Sequence, residues 1–244
     1  MSGAAIDDVA AQLAPLVPEP LAAFGGGVAA GPGGPETLPV AALREPAVFD
    51  AVTARFGAGF GDADPRAVVS YWSQFYLATL ATPALTALVR LGRALPLALD
   101  AVGLDLDAAG RPARLLLSEG GRGTLDPSLD ALVEGHLRPF VDLCHARCGL
   151  APRVVWCNAA VILDHVAREL ARGPAREPAV LEEAGTALGW RGAACSRRSP
   201  LAQGLCPGPG GAPCRRVCCL RYRLPGVASC GALCPVARRT EGSC

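Results

Sequence analysis

The last fifty residues of this chain are too rich in cysteine, glycine and proline to fold by hydrophobic burial alone. Eight of the eleven cysteines lie in residues 195–244. The string CSRRSPLAQGLCPGPGGAPCRR has no regular periodicity, and its many Gly and Pro residues argue against a packed helix or strand. Such a segment needs another source of order, and bonds from thiolates to a metal centre supply one in small, loop-rich modules.

The densest cysteine string is CC-x10-C-x3-C, formed by Cys218, Cys219, Cys230 and Cys234. Thiolates are soft, electron-rich donors, and four of them complete the tetrahedral sites on the two irons of a [2Fe–2S] cluster. Structural zinc is the alternative, because Cys214-x3-Cys218 together with Cys230-x3-Cys234 has the spacing of two zinc knuckles. The cysteine spacing alone leaves both centres open.

Charge is distributed unevenly along the chain. Residues 1–189 hold 14 Arg against 21 acidic residues, whereas residues 190–244 hold 9 Arg against Glu241 alone. The chain has no Lys, a bias that a GC-rich bacterial genome explains, so richness in Arg does not by itself indicate nucleic-acid binding. The basic tail also offers few aromatic residues for base stacking and no nucleic-acid-binding motif. We therefore expect no nucleic-acid partner.

Four of these arginines, Arg215, Arg216, Arg221 and Arg223, surround the first pair of cysteines in the sequence. A [2Fe–2S] centre with four thiolate ligands is a dianion that gains a further negative charge on reduction. Nearby guanidinium groups favour the reduced state, so we expect them to raise the reduction potential. The same charges could steer an acidic electron donor.

The N-terminus and the cysteine content indicate a cytoplasmic protein. The opening string MSGAAIDDVAAQLAP has acidic residues where a signal peptide has positive charge. Eleven cysteines in a cytoplasmic bacterial protein favour metal or redox chemistry over a disulfide framework.

Residues 67–89 carry no charge and are long enough to span a bilayer. Their Ser, Thr and Gln side chains and Pro83 favour buried helices instead, so we expect no membrane span.

Periodicity predicts an α+β fold dominated by helices, with a mainly helical domain over residues 1–190 and a cysteine-rich lobe over residues 191–244. Residues 97–118 contain two apolar runs around the turn-forming string DAAGRP and predict a small antiparallel sheet. Residues 24–36, FGGGVAAGPGGPE, predict an exposed loop. Helices are predicted over residues 4–16, 40–55, 65–80, 83–95, 128–148 (kinked at Pro139) and 154–171.

The string RRVCCLRYRLPG, followed by a CGxxCP-like ending, resembles the FhuF-like ferric-siderophore reductases of bacteria. Upstream, RVVWCNAAVILDHVARELA is similar to the Trp-x-Asn-Ala-Ala helix of that family, and YWSQFYLATLATPALTALVRLG is similar to its central portion. The likeness covers most of residues 65–236. It implies a [2Fe–2S] cluster on Cys218, Cys219, Cys230 and Cys234.

The resemblance implies one-electron reduction of Fe(III) held by a hydroxamate-type siderophore in the cytoplasm. Hard Fe(III) is bound tightly by oxygen ligands whereas Fe(II) is bound weakly, so reduction releases the metal and leaves the chelator intact. The implied electron donor is ferredoxin-like or flavodoxin-like, and peripheral contact with the inner membrane is compatible with this role. A zinc-stabilised binding or regulatory protein, and a siderophore-binding relative without redox activity, are the alternatives.

Two departures from the family pattern affect the ligand assignment. The family string ends C-x2-C, whereas three residues separate Cys230 from Cys234, so Cys214 is the natural substitute if Cys234 cannot reach the metal. Cys157 stands where glycine is usual, and Trp156 and Asn158 match the family helix. Spacing assigns no partner to Cys195, Cys206 and Cys244. Side chains interpreted as structural or solvated are Cys144, Cys148, Cys157, His136, His165, Asp105 and Asp107.

Overall fold

A computed structural model of the chain describes residues 11–24, 27–31, 33–117, 129–175, 177–188, 199–208 and 212–236. Its α-helices are α1 (Pro46–Gly57), α2 (Pro65–Thr86), α3 (Arg138–Cys148), α4 (Pro152–Ala171) and α5 (Pro178–Ala187), with a three-residue α-turn at Asp130–Leu132. Its strands are β1 (Val28–Ala30), β2 (Leu38–Pro39), β3 (Val102–Leu106), β4 (Pro112–Leu117), β5 (Leu205–Pro207) and β6 (Pro213–Arg215). The 3-10 turns are Ala14–Leu16, Glu19–Phe24, Val40–Arg44, Ala58–Phe60, Leu99–Ala101, Arg221–Arg223 and Gly231–Leu233, and π-helical turns cover Ala87–Leu91 and Val133–Leu137.

The main sheet has four strands in the order β1-β4-β3-β2. The predicted antiparallel pair is confirmed as β3 and β4. Their turn forms because Asp107 Oδ1 accepts hydrogen bonds from two turn amides and Gly110 adopts a positive φ of 77°. The expectation of a loop over residues 24–36 is wrong in part, because Val28–Ala30 pairs in parallel with residues 115–117 at the sheet edge.

Helix α2 forms the centre of the molecule. It begins as predicted, since the Asp64 side chain accepts a hydrogen bond from the Arg66 amide at 3.0 Å and Pro65 occupies the first turn. The prediction of a second helix beginning at Pro83 is wrong, because the helix continues through Pro83 and its π-helical extension ends at Gly92. Burial against α4 and β4 stabilises the helix despite the proline. No helix within the described ranges is long and apolar enough to cross a membrane.

The other predicted helices differ from the structure at their ends. A 3-10 turn, Val40–Arg44, stops before Pro46, where α1 begins. The irregularity predicted at Pro139 lies just before it, in the π-helical turn Val133–Leu137. The helix predicted over residues 154–171 is confirmed as α4. Most of the predicted helix over residues 4–16 lies outside the described residues.

The described part of the cysteine-rich tail is loop-rich, as predicted, with one short hairpin, β5–β6. This hairpin packs on α4 at Gly204, where an added Cβ would lie 2.7 Å from the Ala160 Cβ and 3.0 Å from the Cys157 Cα. The Cys157 thiol donates a hydrogen bond to the Gly204 carbonyl at 3.0 Å. Only glycine permits this approach, which brings the tail against the helical core.

We therefore expect Gly204→Ala to loosen the tail from α4. A methyl group forced against helix backbone costs about 1–3 kcal/mol in strain, and urea denaturation should show that loss. Gly59→Ala is the matched control, because nothing lies within 4 Å of a Cβ at Gly59. Equal stability of the two variants would contradict the close approach.

Candidate metal centre

The four cysteines of the CC-x10-C-x3-C string come together in the loops that follow β6. Cys218 and Cys219 follow this strand after two intervening residues, while Cys230 and Cys234 flank the 3-10 turn Gly231–Leu233. The Sγ atoms of Cys219 and Cys230 are 3.9 Å apart. Cys234 interacts electrostatically with both Cys218 and Cys230.

The backbone at Leu220 directs its amide toward the first cysteine pair. Among the described residues, Leu220 alone of the non-glycine residues has a positive φ, at 62°. This turn points its amide at Cys218 Sγ, 3.3 Å away. From the core, the Ser70 hydroxyl donates a hydrogen bond to the Cys219 carbonyl at 2.8 Å. An amide that faces sulfur stabilises a thiolate and contributes to the potential of a bound cluster.

The thiols perturb one another's protonation. Burial raises the pKa of Cys218, and the neighbouring thiols of Cys219 and Cys234 raise it further. The hydrogen bond between Cys219 and Cys230 lowers the pKa of Cys219 to about 5 and raises the pKa of Cys230. This pair therefore accepts one negative charge readily, and a second only when a cation compensates it.

The separation of one thiol pair suits two ligands of the same metal ion. Two thiolates bound to one tetrahedral ion at about 2.3 Å lie about 3.8 Å apart, and the Sγ atoms of Cys219 and Cys230 match that separation at 3.9 Å. Within the described ranges, no three His, Cys, Asp or Glu side chains are arranged to hold one metal ion.

Cys214, the alternative fourth ligand, is placed differently from Cys234. It is buried in β6, and its Sγ lies 3.4 Å from the Arg215 carbonyl oxygen and 3.7 Å from the Leu233 carbonyl oxygen. Cys234 is half-buried beside the other thiols of the string. These contacts favour Cys234, in spite of the three-residue spacing.

Arg215 is a buried cation beside the cysteines. It is only 2% exposed, and its guanidinium acts electrostatically on three of the four thiols. Its acceptors are neutral: Asn158 Oδ1 at 2.5 Å, Gln74 Oε1 at 3.4 Å and the Cys157 sulfur at 4.0 Å. No Asp or Glu of the described segments pairs with it, and its Nε has no partner there. A buried cation is costly unless an anion compensates it, and a dianionic cluster would do so.

The other three arginines that flank the first cysteine pair in the sequence have different contacts. Arg221 lies over the Tyr71 ring, 4.9 Å from its centroid, and also acts on the Cys219 thiol. Arg216 instead donates to a backbone carbonyl of β5 at 2.9 Å, and Arg223 forms an ion pair at the surface. Of the four arginines that flank the first cysteine pair in the sequence, Arg215 and Arg221 thus act on thiols of the string.

Asn158 connects this arginine to the helical core, a role that the sequence did not indicate. It is fully buried on α4. Its Nδ2 donates to the Ser70 carbonyl and to Ser73 Oγ, each at 3.0 Å, while its Oδ1 accepts from Arg215. The match of Trp156 and Asn158 to the family helix was the available signal. Trp156 itself is 8% exposed and packs in the core.

A cavity of about 670 Å³ opens on one side of the cysteine site. One wall is a face of α2 on which Tyr71, Phe75 and Ala78 recur at helical spacing, and α4 forms the opposite wall. Cys230 lines the cavity where it meets the tail. We call it the Cys230 cavity, and its volume is within the range of small-molecule sites.

Charged side chains at the Cys230 cavity are mostly paired with one another. Arg168 Nε lies 2.8 Å from Asp164, and Arg172 lies 2.6 Å from Glu169. His165, which the sequence left as a surface or core residue, is exposed on the same wall. Arg215 and Arg221 also line the cavity, so its apolar walls are accompanied by four arginines against two acidic residues.

A second hollow, of about 360 Å³, opens beside Cys218. Arg66, Arg153 and Arg223 line it, together with Tyr222, which is 62% exposed. We call it the Cys218 groove. Its remaining lining is Gly149, Leu150, Ala151, Val154, Val217 and Leu220.

The residues interpreted as structural occupy structural positions. Cys144 is fully buried, as predicted, and Cys148 is half-buried on the same helix. His136 is buried and lies 2.5 Å from the Tyr76 hydroxyl, and burial lowers its pKa to about 4. Asp105 is paired with Arg114 rather than simply solvated. The remaining cysteines are Cys206, which faces Cys214 across the hairpin, and Cys195 and Cys244, which lie outside the described residues.

Comparison with known proteins gave one family match. The model of a family described as ferric iron reductase FhuF-like transporter matches residues 70–197, which include the Cys230-cavity walls of α2 and α4. No curated protein matches the chain.

Proposed function

The chain belongs to the FhuF-like ferric iron reductase family, and we propose that it is a [2Fe–2S] ferric-siderophore reductase. Cys218, Cys219, Cys230 and Cys234 would hold the cluster. When bound, the cluster supplies a one-electron redox centre. The substrate is Fe(III) in a hydroxamate-type siderophore, which gains one electron and leaves as weakly held Fe(II).

The position of Cys230 carries this proposal. It belongs to the group of four thiols and also lines a cavity large enough for a chelated iron. A chelate in this cavity would therefore lie beside a cluster ligand, and electron transfer needs no general acid or base. The residues of the chain bind and orient the chelate.

The buried Arg215 gives independent support for an anionic cofactor on these cysteines. Its hydrogen-bond acceptors are neutral, Asn158 fixes the guanidinium in place, and its charge acts on the thiols. A protein that used these thiols only as core residues would have no reason to keep a buried cation next to them. A cytoplasmic location is part of the proposal, since all nine described cysteines are free thiols.

The test is optical and EPR spectroscopy of anaerobically purified protein, before and after dithionite, with iron and sulfide analysis. We expect a red-brown protein with about two irons per chain, an S = 1/2 signal on reduction, and oxidation of the reduced protein by a ferric hydroxamate. A colourless protein that contains zinc would overturn the cluster. A cluster that reduces no ferric chelate would overturn the reductase activity.

Ala78 offers a test of the Cys230 cavity as the siderophore site. We expect Ala78→Trp to fill the cavity and raise KM for the ferric siderophore at least about tenfold, with iron content and the cluster spectrum unchanged. Ala51→Trp is the control, because Ala51 is exposed on α1. An unchanged KM in the Ala78 variant would place the substrate elsewhere.

A further inference from the structure

The cysteine site opens to the surface on two separate sides. Cys230 lines the Cys230 cavity, whereas Cys218 lines the Cys218 groove. The two hollows have no lining residue in common. A reductase that turns over repeatedly must let both the chelate and the electron donor approach its redox centre. Separate openings allow both to be bound at once.

The Cys218 groove is positively charged. Its three charged lining residues, Arg66, Arg153 and Arg223, are all arginines, and all three are exposed. Asp64 lies between two of them: it accepts from Arg66 Nε and NH2 at 3.1 and 3.0 Å and pairs with Arg223. One carboxylate thus orients two guanidinium groups, and the face keeps a net positive charge.

Tyr222 gives this face a hydrophobic anchor. With Val236, it is one of two large hydrophobic side chains that are exposed among the described residues. It follows Cys219 by three positions and lines the groove together with the arginines. An exposed aromatic side chain that shares a surface with arginines is the composition typical of protein-binding hot spots.

We propose that the Cys218 groove is the docking face for a small acidic one-electron carrier protein. The inference rests on the proposed function, since it assigns the donor to one side of the cluster ligands and the ferric chelate to the other. The carrier loses one electron and the ferric iron gains one, so charge balances without any bond to the protein being made or broken. Complexes of electron-transfer proteins are characteristically small and guided by charge, and an open, basic hollow beside a ligand cysteine suits such an encounter.

The experiment is calorimetric titration of the full-length, cluster-loaded protein with an oxidised, acidic [2Fe–2S] ferredoxin at low and at moderate salt. We expect binding that weakens with salt, and an affinity at least about tenfold lower in the double variant Arg153→Glu, Arg223→Glu. The first substitution puts an acid at the second residue of α4, where the helix dipole favours it, so the variant should fold. Arg44→Glu, a charge reversal that lines neither hollow, is the control and should bind as the wild type does.

Binding of the oxidised carrier involves no electron transfer, so this test is separate from that of the proposed function. Wild-type affinity in the double variant, or equal weakening by Arg44→Glu, would overturn the docking face. Binding to phosphatidylglycerol vesicles in place of ferredoxin would overturn it in favour of a membrane contact. Absence of a cluster from the wild-type protein, by contrast, would overturn the proposed function.

Discussion

Replacing Cys219 by alanine is expected to abolish cluster binding and siderophore reduction. Cys219 is 2% exposed, its sulfur lies 3.9 Å from that of Cys230, and the Ser70 hydroxyl holds its carbonyl group. We expect iron below about a tenth of the wild-type content and a lower melting temperature, because ligand bonds contribute to folding. Iron analysis, visible spectra and thermal melting measure these changes.

Cys214→Ala is the matched control, since Cys214 is equally buried in the same lobe. It should keep the cluster, whereas Cys234→Ala should lose it. The opposite result, with the cluster lost from the Cys214 variant and kept in the Cys234 variant, would show that the three-residue spacing had moved the fourth ligand to Cys214.

Local sequence signals predicted the elements that depend on near neighbours. The β3–β4 pair follows from the DAAGRP turn, where Asp107 caps two amides and Gly110 supplies a positive φ. The parallel strand β1 could not be predicted in this way, because its partner in β4 lies more than eighty residues further along the chain. Pro83 led to the wrong helix boundary, since burial of every residue from 79 to 86 outweighs the lost backbone hydrogen bond.

The candidate site also has features that the local sequence indicates and features that depend on contacts between distant parts of the chain. Cysteine spacing indicated four candidate ligands, since a short string of thiols is visible directly in the sequence, and the structure places two of their sulfurs, those of Cys219 and Cys230, 3.9 Å apart. The burial of Arg215 could not be predicted from the sequence. It depends on the α2–α4 contact that places Asn158 and Gln74 over the tail. Nor could the sequence distinguish the buried Arg215 from its exposed neighbour Arg216, which donates to a carbonyl of β5.

Replacing Arg215 by methionine is expected to lower the reduction potential of the cluster. The guanidinium is buried and acts on three of the four thiols, so it stabilises the extra negative charge of the reduced state. At an effective dielectric constant of about 20, a unit charge at a separation of about 7 Å contributes about 2.4 kcal/mol. This corresponds to a fall of about 100 mV for a one-electron couple, which an EPR-monitored redox titration would measure.

Arg216→Met is the control, because Arg216 is the next residue, carries the same charge and is exposed. Solvent screens an exposed charge, so its removal should leave the potential nearly unchanged. A shift in Arg215→Met alone would identify the buried guanidinium as the counter-charge of the cluster. Such a variant would reduce ferric chelates with a larger driving force but accept electrons from its donor less readily, so single-turnover chelate reduction should quicken while donor-driven turnover slows. Equal potentials in the two variants would instead mean that Arg215 is compensated by another group, and that the cluster is not the anion for which it is buried.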